Sequence, residues 1–299
     1  MGDLGLFPDH AYGLVLGGPD AITDAAKALA AATDLAAKAA AQTRLDEITS
    51  NAGWLFKKGL LDYAGGTVVA LTAGTASLVG LVMLTHASNN PSASPDRWQP
   101  ISGPGALGLA LMWLAWFGVN AASNLDFGDS ATKLAMANCF SATGAAAAAG
   151  AAAEWLVRGQ ASVRGVLYGA LSGIVAVSSA SAFSSAVGAI ALGLCAGGAA
   201  IAWMHASDLG APADLPVIHA CGGLIGTLGT GILVNPSLGG MGIMDYTTGK
   251  IGDYDFTAQM NAQFWGIAIV LALAGLGSFV IFKIIDLVVG LRPANRPTP

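Results

Sequence analysis

Apolar and polar positions divide the chain into two regimes. Up to about residue 58 charged side chains recur every few positions, and from about 59 to 292 long apolar runs alternate with short polar connections. Seven runs stand out, at about 62–85, 105–124, 131–157, 165–183, 185–206, 214–234 and 262–290, each near the ~20 residues that cross a bilayer as a helix. The fourth and fifth are divided only by Ser184 and Ser185, just after Ser178-Ser179-Ala180-Ser181. The third holds the alanine tract Ala145–Ala149 and ends at Glu154-Trp155. This pattern predicts an all-α polytopic membrane protein with about seven transmembrane helices.

The first regime reads differently. Residues 1–19 are irregular, with Pro8 and Pro19. From Asp20 a helical pattern carries Asp24, Lys27, Asp34, Lys38, Arg44, Asp46 and Glu47, too many charges for a bilayer span. Asp34 and Lys38 are placed for an i,i+4 pair, and Ile22, Leu29 and Leu35 make one weak apolar stripe. This extramembrane helix lies on a surface or docks a partner subunit. Asn51-Ala52-Gly53 breaks it, and Trp54-Leu55-Phe56-Lys57-Lys58 has the aromatic and basic character of a membrane interface. The expected organisation is an extramembrane segment over 1–58, a transmembrane domain over 59–292 and a short tail over 293–299.

Composition narrows the function. Charged residues make up 10%, hydrophobic residues 54%, and mean hydropathy is +0.63. The net charge of −5 leaves no footprint for nucleic acid. Cys139, Cys195 and Cys221 have neither zinc nor disulfide spacing and read as small packing residues. No cleavable signal peptide is evident in residues 1–19, which lack a basic start. No nucleotide loop, catalytic triad or metal spacing is present, so neither an enzyme nor a cofactor is implied. Arg97, Arg158, Arg164, Arg292 and Arg296 follow runs one, three and seven, which predicts a cytoplasmic C-terminus with the N-terminal helix opposite. Gly169-xxx-Gly173, Gly193-xxx-Gly197 and Gly222-xxx-Gly226 fit close approach between helices.

A few polar residues inside the runs are candidates for chemistry. Asp62, in Leu61-Asp62-Tyr63-Ala64-Gly65-Gly66-Thr67-Val68-Val69-Ala70, either caps the first membrane helix or belongs to a pathway. His219 reads either as a pathway residue or as a histidine bonded to a nearby carbonyl. Asp214 fits a cap for run six, Glu154 and His205 fit helix ends at the interface, and Lys283 with Asp286 fits an interfacial pair. Trp113, Trp116 and Phe117 form an aromatic group beside Asn120, an amide that must find partners if buried.

Together these motifs resemble the ammonium transporter family. Asp62 through Val69 is similar to the family's aspartate-aromatic-alanine-glycine-glycine-threonine-valine-valine motif, which ends in a histidine. Trp116-Phe117-Gly118-Val119-Asn120-Ala121-Ala122-Ser123 resembles the segment tryptophan-phenylalanine-glycine-phenylalanine-asparagine. Asn138 ahead of the alanine tract fits, and Asp214 through Gly231 resembles the segment with the second pore histidine, here His219. Phe282 through Arg292 resembles the end of the last helix. The likeness runs from about residue 53 to 292.

The resemblance implies an eleven-helix bundle in two inverted halves, usually trimeric, of which this chain matches the last seven helices. It makes His219, Ala70, Trp116, Val119, Asn120 and Ser123 the pore-like positions, with Asp62 and Asp214 in support. Ala70 stands at the first pore histidine, Val119 at an outer phenylalanine, and an ungapped count puts Ser50 at the recruitment tryptophan. Around Ser178–Ser185 the family's prolines are absent. Without the second ring His219 loses an orienting partner, and Val119 and Ser50 offer no π face to a cation. The expectation is a degenerate, non-conducting scaffold within a larger membrane complex. Lipid or other membrane subunits would cover its open face, and a homotrimer is a further possibility. The alternative is an ammonium or ammonia channel completed by helices from another chain. A sensor is disfavoured by the short tail.

Overall fold

The computed structural model describes residues 28–29, 31–50, 54–87, 101–123, 130–207, 211–245 and 250–291. Helix α1 spans Leu35–Ser50 and opens on Asp34, whose Oδ1 accepts the N–H of Ala37 at 2.7 Å. Of the expected apolar stripe, Leu35 is 86% exposed and Leu29, ahead of α1, is half-buried. Ile22 lies outside the described residues. A one-turn helix α2, Trp54–Lys57, leads to an extended stretch and then to a π-helical turn over Gly66–Leu71. Seven longer helices follow: α3 Thr72–Ala87, α4 Gly103–Ala122, α5 Ser130–Arg158, α6 Val163–Val177, α7 Ala186–Ala206, α8 Asp214–Leu233 and α9 Phe256–Val288. Between α8 and α9 a two-residue antiparallel ladder pairs Met244–Asp245 with Lys250–Ile251.

Local sequence explains where helices start. Ser102, Ser162 and Ser185 precede α4, α6 and α7, and each side-chain oxygen accepts the N–H of the glycine three residues on, Gly105, Gly165 or Gly188. Asp255 does the same for Ala258 ahead of α9. Each bond satisfies a donor that the helix start leaves unpaired.

The second, third, fifth and sixth apolar runs match α4, α5, α7 and α8, whereas the first, expected from 62, becomes α-helical only at Thr72, the last, expected from 262, starts at Phe256, and the fourth ends early. The fourth run was expected to reach residue 183, but α6 stops at Val177. Residues 178–184 form an irregular turn in which Ser178, Ser179, Ser181 and Ser184 are all fully buried. Non-helical backbone at this depth requires polar partners from the protein itself, and asparagines of α4 and α5 supply them, as described below.

Helix α5 lies at the centre of the tightest packing. Gly173 of α6 and Gly193 of α7 both lie against the carbonyl of Ala142, and Gly169 and Gly197 both lie against that of Ala146. Two small-residue pairs therefore grip the same two carbonyls from opposite neighbours, and a Cβ at any of the four would strike backbone. Gly226 of α8 sits in the same manner against the Ala176 carbonyl. The alanine tract is thus a packing surface.

Among the described residues, five spans are long and apolar enough to cross a membrane: Gly66–Leu84, α4, α7, α8 and α9. Helix α6 is apolar but has only 15 residues, and α5 carries Lys133, Glu154 and Arg158. Outward positions on α9 are apolar, Leu273, Leu276 and Phe279 among them, as a hydrocarbon environment demands.

Candidate functional site

The site is built around the chain that precedes α3. Gly65 has φ +79°, a left-handed conformation that glycine adopts without a Cβ penalty. The chain then winds more widely than an α-helix, with the Ala70 N–H reaching the Gly65 carbonyl five residues back at 3.1 Å. The buried Asp62 carboxylate accepts the N–H groups of Thr67, at 3.0 and 3.2 Å, and of Val68 at 3.0 Å. Asp62 thus caps the π-turn, and two donors at a helix start find a charged acceptor.

The residues ahead of that turn, 59–64, pair on two sides. On one, the N–H groups of Tyr63 and Ala64 donate to the carbonyls of Ser179 and Ser178, at 3.1 and 2.9 Å. Gly66 approaches Ser179 so closely that a Cβ there would meet its Oγ and backbone N. On the other side stands Gln263 of α9, fully buried. Its Oε1 accepts from Leu61 N at 2.9 Å, and its Nε2 donates to Leu61 O at 3.0 Å and Thr227 O at 2.9 Å. Gln259, one turn earlier, donates to Gly59 O at 3.0 Å. Neither glutamine was among the expected site residues: Gln259 lies ahead of the expected last span, 262–290, and Gln263 is its second residue. Two amides four residues apart at the head of the most apolar helix were the available signal.

Asn120 and Asn138 hold the broken end of α6. Asn120 donates to Trp116 O and Ser178 Oγ, each at 3.0 Å, and accepts from Ser181 Oγ at 2.9 Å. Asn138 donates to the carbonyls of Ser181 and Ser184, each at 2.8 Å. Both asparagines are fully buried, so the structure makes them supports of an irregular turn.

His219 and Trp116 meet between α8 and α4. Their ring centroids are 6.0 Å apart at 43°. His219 Nδ1 lies 2.8 Å from the Leu215 carbonyl one turn back. A carbonyl only accepts, so Nδ1 carries the proton, and the neutral ring keeps its lone pair on Nε2. Ala70 is fully buried in the same apolar cluster as Trp116, Phe117, Tyr168 and Cys221. Val119 is 43% exposed, and the Ser123 hydroxyl donates to its carbonyl at 2.7 Å. The structure therefore brings Ala70, Trp116 and His219 towards one region and leaves Val119 on an outer face. Ser50 ends α1.

At the opposite end of the bundle several expectations change. Asp214 is the first residue of α8, not its side-chain cap, and its carboxylate lies 3.5 Å from Arg164, which also stacks on Tyr168. The carboxylate still suits the positive end of the helix dipole. Glu154, one turn from the end of α5, is fully buried and accepts from Arg158 at 2.6 Å and from the N–H and hydroxyl of Ser162, each at 2.8 Å. Asp286 accepts from Leu291 N at 3.1 Å, closing the end of α9, while Lys283 is exposed. His205 is exposed in the last turn of α7. Cys195 is exposed, unlike the buried Cys139 and Cys221. Among the described residues no cluster of three or more His, Cys, Asp or Glu is placed for a metal.

With this geometry in place, comparison with known proteins is decisive. The model of the Ammonium Transporter Family matches residues 46–296. The chain belongs to the ammonium transporter family. It is 34% identical over 248 residues to the ammonium transporter of Aquifex aeolicus, covering 82% of this chain and 55% of that one. It is 31% identical over 252 residues to an ammonium transporter of Archaeoglobus fulgidus, covering 82% and 60%. The chain thus spans a little over half the length of these relatives. Among solved structures, Saccharomyces cerevisiae Mep2 superposes with a TM-score of 0.68 at 24% identity, over 83% of this chain and 57% of that one. A sensor Amt protein superposes with a TM-score of 0.65 at 20% identity, over 91% and 71%. The family and the apolar helices make this an integral, multi-pass membrane protein.

Proposed function

We propose that the chain forms one wall of a route for ammonium or ammonia across the membrane, completed by further membrane helices packed on its open face. The Trp116–His219 pair carries this reading. A neutral ring nitrogen with a free lone pair accepts a hydrogen bond from an N–H donor. The neighbouring indole offers an apolar, π-rich surface in place of water. The curated relatives are named as ammonium transporters, which favours the same solute. Apolar positions of α4 and α5 that stand open, such as Leu111, Leu114 and Phe140, are the surface that lipid or partner helices, including further copies of this chain, would cover. The arginines at the Glu154–Asp214 end favour placing that end, and with it the C-terminus, on the cytoplasmic side.

A second reading has its own support. Ala70 supplies no polar group where the family's motif has a histidine, and the Ser123 hydroxyl is engaged within its own helix. Both favour a non-conducting scaffold in a membrane complex. The test is to purify the full chain gently with whatever accompanies it, reconstitute the assembly in vesicles and follow methylammonium uptake. Uptake that depends on His219 supports the route. A stable assembly with no uptake supports the scaffold.

A further inference from the structure

We infer that Gln259 and Gln263 form a side-chain ladder on the backbone of residues 59–61, making them the positioning residues for the segment that carries Asp62 and the π-turn. Gly59 has φ +84°, the left-handed conformation that ends the one-turn helix α2, and Leu61 follows two residues on. Gln259 and Gln263 are four apart on α9, so both side chains stand on one face of that helix. The Gln263 amide accepts from Leu61 N and donates to Leu61 O, and Gln259 donates to Gly59 O. Gln259 Nε2 also donates to Gln263 Oε1 at 3.2 Å, which fixes the direction of the amide.

The ladder's position gives it a consequence for the site. Leu61 adjoins Asp62, the cap of the π-turn, and the opposite side of the segment is already paired with Ser178 and Ser179. Gln263 Nε2 also donates to Thr227 O on α8, the helix that carries His219. One amide therefore sets the height of the π-turn, including Ala70, against the histidine helix. Gly266 completes the seat, since a Cβ there would meet the Leu60 side chain at 2.5 Å.

The test uses the full chain in lipid nanodiscs, read by amide hydrogen exchange. In Gln263→Met, which keeps the side-chain length, exchange of the peptide spanning residues 59–71 rises about tenfold or more, while peptides from α5, α6 and α7 are unchanged. In Gln259→Met, which removes the bond to Gly59 O and keeps those of Gln263 to Leu61, the rise is smaller, and this graded order separates hydrogen bonding from filling of space. Unchanged exchange at 59–71 in Gln263→Met and in the Gln259→Met, Gln263→Met double variant overturns the inference. So does a rise spread evenly over all helices. The functional consequence rests on the transport reading, and methylammonium uptake by the same variants reconstituted in closed vesicles is followed in parallel. No uptake by any sample, together with altered exchange at 59–71, refutes transport and leaves the ladder standing. His219-dependent uptake with unaltered exchange does the reverse.

Discussion

The hydroxyls of Thr67 and Thr227 lie 2.6 Å apart and join the π-turn to α8. Thr227 donates to the Gly223 carbonyl at 2.7 Å, so Thr67 is the donor of the shared bond. Both side chains are fully buried. The contact needs Gly223, where a Cβ would press on the Gly66 carbonyl at 2.7 Å and the Leu71 N at 2.8 Å. Hydroxyl pairing and a bare glycine together let an irregular turn lie flat on a regular helix.

Replacing Thr227 by Val keeps the shape and removes the acceptor, leaving the Thr67 hydroxyl buried without it. The expected cost is about 1–2 kcal/mol. Thermal unfolding of the purified protein in detergent measures it, and an unshifted midpoint counts against the contact.

Asp62→Ala strips the acceptor from two buried N–H groups at once. Stability should fall by about 2–4 kcal/mol, and Asp62→Asn, which keeps one acceptor oxygen, should lose roughly half as much. Unfolding of both variants in denaturant tests the order. Full stability combined with altered solute uptake would make Asp62 a pathway residue rather than a cap.

Gly193→Ala places a Cβ against the Ala142 carbonyl in the α5–α7 contact. Backbone cannot give way as a side chain does, and the expected loss is about 1–3 kcal/mol. Gly144→Ala, on the open face of the same helix α5, meets nothing within 4 Å. It should be neutral or stabilising by up to about 1 kcal/mol. Parallel melting curves give the contrast, and equal behaviour of the two variants would refute the packing argument.

Much of this fold was legible because a membrane span advertises itself by length and apolarity. The runs behind α4, α5, α7 and α8 end within two residues of the observed helices. The α6 boundary was misplaced because Val177 ends that helix only through Asn120 and Asn138, whose serine partners lie 43 to 61 residues away. The burial of Glu154 was not legible because the groups that cover it lie beyond the next turn, at Ser162 and Gly165. Gln263 was invisible for the same reason at greater range, since Leu61 is 202 residues away. Motif resemblance marked Ala70, Trp116 and His219, and of the two readings of His219 the bond to a nearby carbonyl is present, with Leu215 as its partner.

If His219, held by Leu215 and facing Trp116, serves an ammonium or ammonia route, vesicles carrying the gently purified assembly take up methylammonium above protein-free vesicles. With wild-type chain, His219→Ala and Ala70→His side by side, uptake falls about tenfold or more in His219→Ala and rises in Ala70→His. Uptake equal to that of protein-free vesicles in all three, from an assembly shown to be intact, would contradict that role.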